Sequence, residues 1–387
     1  MRIAIFTNAY KPISSGVVNT IDFFANALRD KGHAVYIFAP DFKNYRDEGE
    51  NVFRYRSINL THDVEFPIAI PFSFKTGKIL AQFKPDIIHV HQPFVLANAA
   101  YYYSKKFNIP IVFTLHTQYE MYSHYVPLPP DIVKYFCRNI VKRFAEKTDR
   151  VTTPAESIAN LLRQYGVQKQ IEVIPNAINI DSYKEISLDV INDMRSKLGL
   201  KSEKVVLYVG RIAPEKNLEF LVDSFELAHK RNTVAKLLIV GDGTFLQQLK
   251  NYVDSKGLND SVIFTGNVEY KKIPVFYMLS DIFAITSTTE VKPLVILEAL
   301  AANIPVVAVN APGAMDTLTD GFDSILTKEC IHEFSDGIVK LLEDYSFYKK
   351  LKAGTCVTAD KYSINTVSNE IVNMYKRLID EKGSSVS

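Results

Sequence analysis

Ile282-Phe283-Ala284-Ile285-Thr286, followed by Ser287-Thr288-Thr289-Glu290-Val291-Lys292-Pro293 and then Leu294-Val295-Ile296-Leu297-Glu298-Ala299-Leu300, reads as strand, polar turn and helix. The first run is a short continuous apolar segment, the signature of a buried parallel strand. Pro293 suits a first helical position, and the residues after it are apolar almost all round, which predicts a buried helix. Glu290 then stands at the carboxyl end of a strand and Glu298 on the next helix, beside the crevice where open α/β sheets bind ligands. Glutamates are mostly exposed. These two flank an apolar segment, where a buried acid needs a partner, and a polyhydroxylated ligand is a natural one.

The same alternation extends in both directions. Ile3–Thr7, Val35–Phe38, Ile87–Val90, Ile111–Leu115 and Val151–Thr152 read as parallel strands of the first half. Between the first two, Ile21, Phe24, Ala25 and Leu28 recur at helical spacing, and Gly32 stands where a C-terminal cap belongs. Val205–Val209, Leu237–Val240, Val262–Phe264, Ile282–Ile285 and Val306–Val309 repeat the plan. The prediction is an α/β protein with a doubly wound sheet in each half. Apolar periodicity lapses over 176–202, which sets the expected domains at residues 1–178 and 179–360, with a last helical pattern within 361–387.

At 387 residues the chain exceeds one ordinary core, and 47% hydrophobic with 23% charged residues is a globular composition. No apolar run reaches membrane-spanning length, and the start lacks the architecture of a cleavable signal, so a cytoplasmic location is expected. Cys137, Cys330 and Cys356 have no Cys-x-x-Cys spacing and read as reduced structural residues. Net charge is +2, but residues 1–180 carry +6 and residues 181–387 carry −4. A basic first half suits an anionic surface.

Arg211 and Lys216 follow the strand Val205–Val209 in a loop opened by Gly210, a placement that fits an anion site. The loop 12–18 between first strand and first helix holds Gly16, which either forms an ordinary turn or lets a backbone N–H approach a phosphate. His116 ends the strand Ile111–Leu115, placed either to bond a sugar hydroxyl or as a satisfied structural histidine. His89 and His91 share a strand without an acidic or Cys partner at metal-ligand spacing and read as structural; no Asp-x-Asp metal signature is present. The lone Gly241-Asp242-Gly243 lies too late in the chain to support a nicotinamide enzyme. Over residues 131–150, Lys134, Arg138, Lys142 and Arg143 alternate with Ile132, Val133, Phe136, Ile140 and Phe144. Such a basic amphipathic helix either lies on an anionic bilayer or packs on its own sheet. The segment 66–74, Phe-Pro-Ile-Ala-Ile-Pro-Phe-Ser-Phe, is a second candidate lipid contact or acceptor-channel wall.

The Glu-x7-Glu element, with Gly210-Arg211-Ile212-Ala213-Pro214-Glu215-Lys216-Asn217 and Val173-Ile174-Pro175-Asn176-Ala177-Ile178 upstream, resembles the large GT4 family of retaining glycosyltransferases over nearly the whole chain. The resemblance implies the GT-B fold, two Rossmann-like domains facing a central cleft, closure over that cleft to exclude water, and a nucleotide-sugar used without metal or other cofactor. It implies that Glu290 holds sugar hydroxyls, Glu298 the ribose, and Arg211 and Lys216 the diphosphate. Gly16, Gly210, Pro293, Leu294 and Val295 would complete the donor site. The loop Gly241–Gly243 would border the nucleotide, and the last segment would cross back onto the first domain. The block from His116 through Tyr119, Glu120, Tyr122, His124 and Tyr125 is similar to the narrower group of bacterial diacylglycerol glucosyltransferases. By that resemblance His116 contacts the donor sugar and the five later residues shape the acceptor side.

The chain departs from the family at Val291-Lys292-Pro293, where many members have a small or aromatic residue followed by Gly, and at Asn176-Ala177-Ile178, where Asn-Gly is more frequent. Pro293 cannot donate the backbone N–H that Gly would. The expected activity is transfer of a hexose, glucose from UDP-glucose, to a lipid hydroxyl such as that of diacylglycerol at the inner face of the cell membrane. The alternatives are a soluble sugar, hydroxy acid or polysaccharide acceptor, a nucleotide-sugar epimerase, and a binding-only protein. No nucleic-acid partner is expected.

Overall fold

The structure is a computed structural model that describes residues 1–13, 15–47, 49, 51–58, 67–121, 128–290 and 292–384. The chain divides into two compact units, one formed by Met1–Ala177 with Ile364–Ser387 and the other by Ile178–Ser363.

The first unit contains β1 (Arg2–Phe6), β2 (Ala34–Pro40), β3 (Val52–Tyr55), the antiparallel pair β4 (Ser57–Ile58) and β5 (Ile68–Ala69), then β6 (Ile87–Val90), β7 (Ile111–Thr114), β8 (Arg150–Thr153) and β9 (Ile171–Val173). Its main sheet runs β3-β2-β1-β6-β7-β8-β9 with every neighbour parallel. The first helix, Gly16–Asp30, starts at Ser15, whose hydroxyl accepts from the Val18 N–H at 3.3 Å. It ends where the Gly32 N–H bonds the Arg29 carbonyl and the His33 N–H bonds the Leu28 carbonyl, with Gly32 at φ +79°. That pair of bonds is a Schellman cap, which needs the left-handed residue glycine supplies. Ile21, Phe24, Ala25 and Leu28 form its buried stripe. Helix Ile364–Ser384 packs on it and buries Val367, Ile371, Met374, Tyr375 and Leu378 in the same core.

The second unit holds β10 (Val205–Val209), β11 (Lys236–Val240), β12 (Val262–Gly266), β13 (Ile282–Ile285), β14 (Val306–Val309) and β15 (Ser324–Thr327). Its parallel sheet runs β12-β11-β10-β13-β14-β15, so the strand order reverses at β10 and β13. Period-2 alternation sends Val205, Leu207 and Val209 into one apolar layer and Val206 and Tyr208 into the other. Both faces are covered by helices, as an all-parallel sheet requires.

Several expectations change. The helix carrying Glu298 is Leu294–Ala301, with Pro293 as its N-cap at ψ 122° and not its first residue. The basic segment 131–150 is not one helix. Its helix is Pro130–Ala145, while Arg150 begins β8, buried among Glu172 and Glu381, because a strand in a covered sheet follows. Cys356 is exposed and Cys137 and Cys330 half-buried, so none is a core residue. Strands β3, β9 and β15 were not expected; each is short and half-polar, too brief for a periodic signal. Among the described residues, no helix is long and apolar enough to cross a membrane.

Candidate active site

The reversal of strand order in the second unit opens its sheet at the carboxyl ends of β10 and β13. After β10 comes the loop with Gly210, Arg211 and Lys216; after β13 comes the loop with Glu290. Two hydroxyls lace these loops together: Thr286 donates to the Lys216 carbonyl at 2.9 Å and Ser287 to the Glu215 carbonyl at 3.3 Å. Lys216 thereby stands beside Glu290, and its ammonium is ion-paired with the Glu290 carboxylate. The half-exposed guanidinium of Arg211 pairs with Glu215 one turn on.

Close backbone approach shapes the rest. A Cβ on Gly241 would lie 1.9 Å from the Gly210 carbonyl oxygen, and Gly241 sits at φ +144°, so only glycine fits where the loops after β10 and β11 touch. On the other side, a Cβ on Gly313 would lie 2.4 Å from the Glu290 carbonyl oxygen. Gly313 therefore lets the short helix Pro312–Met315 buttress the Glu290 backbone.

Pro293, Leu294 and Val295 form the start of the Glu298 helix, where the helix itself offers the first N–H groups no acceptor and its dipole favours an anion. Glu298 itself is only 2% exposed. Tyr270 donates to Oε1 and Tyr277 to Oε2, each at 2.8 Å. Burial raises the Glu298 pKa, and the two phenols partly offset that by favouring the carboxylate. Sequence reading found the glutamate but not its two tyrosines, since the spacing between Tyr270 and Tyr277 gives no sign of an acid 28 and 21 residues on.

Lys292 is the residue whose environment is least expected. Its Nζ donates to the Asp316 carbonyl at 2.8 Å and to the Tyr362 hydroxyl at 3.1 Å, and lies 4.4 Å from the centre of the Tyr362 ring. Burial lowers its pKa to about 8 despite the nearby Asp316. Val291, beside it, lies outside the described residues.

In the first unit, the carboxyl ends of β1, β6 and β7 carry Thr7, His91 and His116, and Gly16 is the first residue of the helix after β1. Ser14, from the same loop, lies outside the described residues. Thr7 Oγ1 donates to Gln92 Oε1 at 2.8 Å, and the Asn8 N–H reaches the same oxygen at 2.6 Å. His116 Nε2 and His91 Nδ1 are 2.8 Å apart, both rings being buried. His89 is bonded on both nitrogens, to the Tyr375 hydroxyl at 2.5 Å and Thr114 Oγ1 at 2.6 Å. Burial depresses the pKa values of His89 to about 3 and His116 to about 4, and that of His91 well below the usual value, with the neighbouring imidazoles adding to the shift for His89 and His91. All three rings are neutral at pH 7. The contact between His91 and His116 escaped sequence reading because it joins two strands.

Of the expected acceptor residues, Tyr119 is part-buried, its ring edge-on to Phe94 with centroids 4.8 Å apart, and Glu120 is ion-paired with Arg138 at 2.5 Å. Tyr122, His124 and Tyr125 lie outside the described residues. The helix Pro130–Ala145 seats Val133, Val141 and Phe144 inward and leaves Ile132, Tyr135, Phe136 and Ile140 exposed. In the segment 66–74, Phe66 lies outside the described residues, while Phe72 and Phe74 are 89% and 99% exposed. Among the described residues no group of three or more His, Cys, Asp or Glu is arranged to hold a metal ion.

Residues 14–182 match glycosyltransferase family 4, and residues 190–355 match glycosyl transferases group 1. The alpha-monoglucosyldiacylglycerol synthase of Streptococcus pneumoniae is 34% identical over 83% of this chain and 74% of that protein. The enzyme of the same name from Acholeplasma laidlawii is 25% identical over the full length of both. A GDP-mannose-dependent alpha-mannosyltransferase of Corynebacterium glutamicum is also 25% identical, over 84% of this chain and 76% of its own. Among solved structures, sucrose-phosphate synthase from Thermosynechococcus elongatus superposes with TM-score 0.80 at 20% identity, covering 98% of this chain and 99% of that one. Anabaena HepE in complex with UDP-glucose gives 0.77 at 20% identity, covering 97% and 100%. Two parallel doubly wound sheets with these likenesses are the GT-B fold, and the chain belongs to glycosyltransferase family 4.

Proposed function

We propose that this glycosyltransferase is a retaining, metal-independent hexosyltransferase that moves glucose from UDP-glucose to a hydroxyl of a membrane lipid such as diacylglycerol. The observation that carries the donor half is the convergence of Arg211, Lys216, Glu290 and the start of the Glu298 helix at one switch point. Two cations and a helix N-terminus are the groups a departing diphosphate needs, and they take the part a metal would otherwise play. Glu290 holds sugar hydroxyls and Glu298, with lone pairs left after Tyr270 and Tyr277, the ribose. Lys216 has three N–H donors, so it can keep Glu290 while taking a phosphate oxygen.

In the reaction the bond between the anomeric carbon and the phosphate oxygen breaks and a bond to the acceptor oxygen forms on the same face. A phosphate oxygen of the leaving nucleotide takes the acceptor proton, and Arg211 and Lys216 neutralise the diphosphate. No carboxylate attacks, so the two glutamates are not a glycosidase pair. On the first unit, neutral His116 bonds a sugar hydroxyl, Gly16 presents a backbone N–H to phosphate, and Tyr119, Glu120, Tyr122, His124 and Tyr125 shape the acceptor side.

The lipid acceptor is supported by the likeness to the two synthases and by the exposed Ile132, Tyr135, Phe136 and Ile140 beside Lys134, Arg138 and Arg143. That face suits the headgroup layer of an anionic membrane, which makes the protein a peripheral one. The test is nucleotide release from UDP-glucose, GDP-mannose and UDP-N-acetylglucosamine, with and without mixed vesicles of diacylglycerol and anionic lipid. Release from UDP-glucose alone, dependent on lipid, indifferent to EDTA and lost in Glu290→Ala, is expected, with an α-linked product by NMR. Release unaffected by lipid would assign a soluble acceptor, and release from GDP-mannose would transfer the donor assignment to mannose.

A further inference from the structure

We infer that His91 is a positioning residue that fixes His116 as the Nδ1–H tautomer, so that His116 acts toward its ligand as a hydrogen-bond donor. The functional half of this rests on the reading that His116 faces a sugar; the tautomer does not.

The geometry allows one proton between the two rings. His91 Nδ1 and His116 Nε2 are 2.8 Å apart, with ring centroids 5.1 Å apart and the planes 16° from parallel. With both rings neutral, one nitrogen donates and the other accepts. If His116 donated from Nε2, His91 would accept on Nδ1 and carry its own hydrogen on Nε2. That atom is buried and, among the described residues, has no hydrogen-bond partner. An orphaned N–H is the rarer and costlier outcome in a protein interior, whereas a bare acceptor nitrogen is more easily left unpaired. His91 therefore donates from Nδ1, and His116 accepts on Nε2 and carries its hydrogen on Nδ1, the one ring nitrogen left for a ligand.

The surroundings hold this arrangement. His89 stacks on His91 with centroids 4.2 Å apart, and its own nitrogens are taken by Tyr375 and Thr114. His91 thus cannot turn toward a partner on that side. Burial keeps protonation away from all three rings, with the neighbouring imidazoles adding to this for His89 and His91. A second proton on His116 Nε2, which would set two donors facing each other, is excluded across the neutral range. A general base at His116 Nδ1 is excluded with it, because that nitrogen already holds its hydrogen. The ligand oxygen it meets must accept, which a hydroxyl or a fluorine does and a deoxy position does not.

The experiment is two-bond 1H–15N correlation NMR on the full chain with 15N-labelled histidine, eight residues in all, assigned through His91 and His116 substitutions. Both rings should show Nδ1–H with a bare Nε2, unchanged between pH 8 and pH 5. Nε2–H at His116 overturns the inference directly. His91→Leu should release His116 to the Nε2–H form and lower kcat/KM at least 10-fold. His91→Asn, whose amide can donate from nearly the Nδ1 position, should restore the His116 pattern and most of the activity. A His91→Leu protein that folds, shifts the His116 tautomer and keeps full activity would overturn the positioning role. Failure of the sugar reading shows up separately, as His116→Ala leaving the donor KM and kcat untouched while the tautomers are those stated.

Discussion

Replacing Lys292 with Met tests how much the second unit gives up to hold a charge beneath its donor loop. The side chain is 7% exposed, and its contacts include one carbonyl, one hydroxyl and the face of one ring. They do not offset burial, which takes the pKa from 10.5 to about 8. At about 1.4 kcal/mol per pKa unit, carrying the ammonium into the folded protein costs about 3 kcal/mol at pH 7. Because the folded pKa is the lower one, the unfolded chain takes up its proton first as pH falls. Stability therefore declines from pH 10.5 to pH 8 and is level below that. Methionine has a similar length and no charge. It leaves the Asp316 carbonyl and the Tyr362 hydroxyl to each other, 3.4 Å apart, at a cost of about 1 kcal/mol. Lys292→Met should then be about 2 kcal/mol more stable than the native chain at pH 7 and about 1 kcal/mol less stable at pH 10.5. Hydrogen exchange along a urea series, read on peptides from β10 and β13, measures this in the second unit alone. Equal differences at the two pH values, or a destabilised variant at pH 7, would refute the reasoning.

Glu298→Gln keeps the volume and can still accept a tyrosine hydroxyl. The native pKa is raised, so carboxylate stability is lost as pH rises through it, and the amide should be at least as stable at pH 7 by thermal unfolding. Its donor KM should nevertheless rise about 10-fold, roughly 1.4 kcal/mol, from losing charged hydrogen bonds to the ribose. Lys216→Ala and Glu290→Ala should each lower kcat/KM by 100-fold or more. The double variant should be far less than additive, since each single change leaves the partner unpaired, and a double-mutant cycle reads that directly. Tyr135→Ser with Phe136→Ser removes two exposed rings, 66% and 57% accessible, and should weaken anionic-vesicle binding at least 10-fold in a flotation assay. Stability by urea unfolding should shift by less than about 0.5 kcal/mol, as for surface substitutions generally.

The fold was legible because its central strands are apolar. Val205–Val209 and Ile282–Ile285 announce a sheet covered on both faces, and the Gly32 cap marks where the first helix must stop. What escaped were pairings between elements far apart in the chain. Nothing in the local sequence links Glu298 to Tyr270 and Tyr277, or His91 to His116, because strand order alone brings them together. The helix over 131–150 was overrun by five residues because amphipathic spacing continues through Lys147 into Arg150. Only its pairing with Val112 of β7 reveals that Arg150 begins a strand, where its buried guanidinium meets Glu172 and Glu381.

The proposed donor site is already neutralised. Arg211 is matched by Glu215 and Lys216 by Glu290, so on the proposed reading an arriving diphosphate would meet cations that carboxylates hold in position. Side-chain ordering, which for a free lysine is among the larger entropic costs, is thereby met before the ligand binds. The same pairing ties the carboxylate proposed to hold the sugar to the ammonium proposed to hold the phosphate. On that reading a donor whose hexose missed Glu290 would also disturb Lys216, so that recognition of the sugar would feed into stabilisation of the leaving group. Gly313 completes the device from behind by letting the Pro312–Met315 turn stand against the Glu290 carbonyl. A larger residue there would meet the Glu290 carbonyl and Cβ and push Glu290 out of the reach of Lys216.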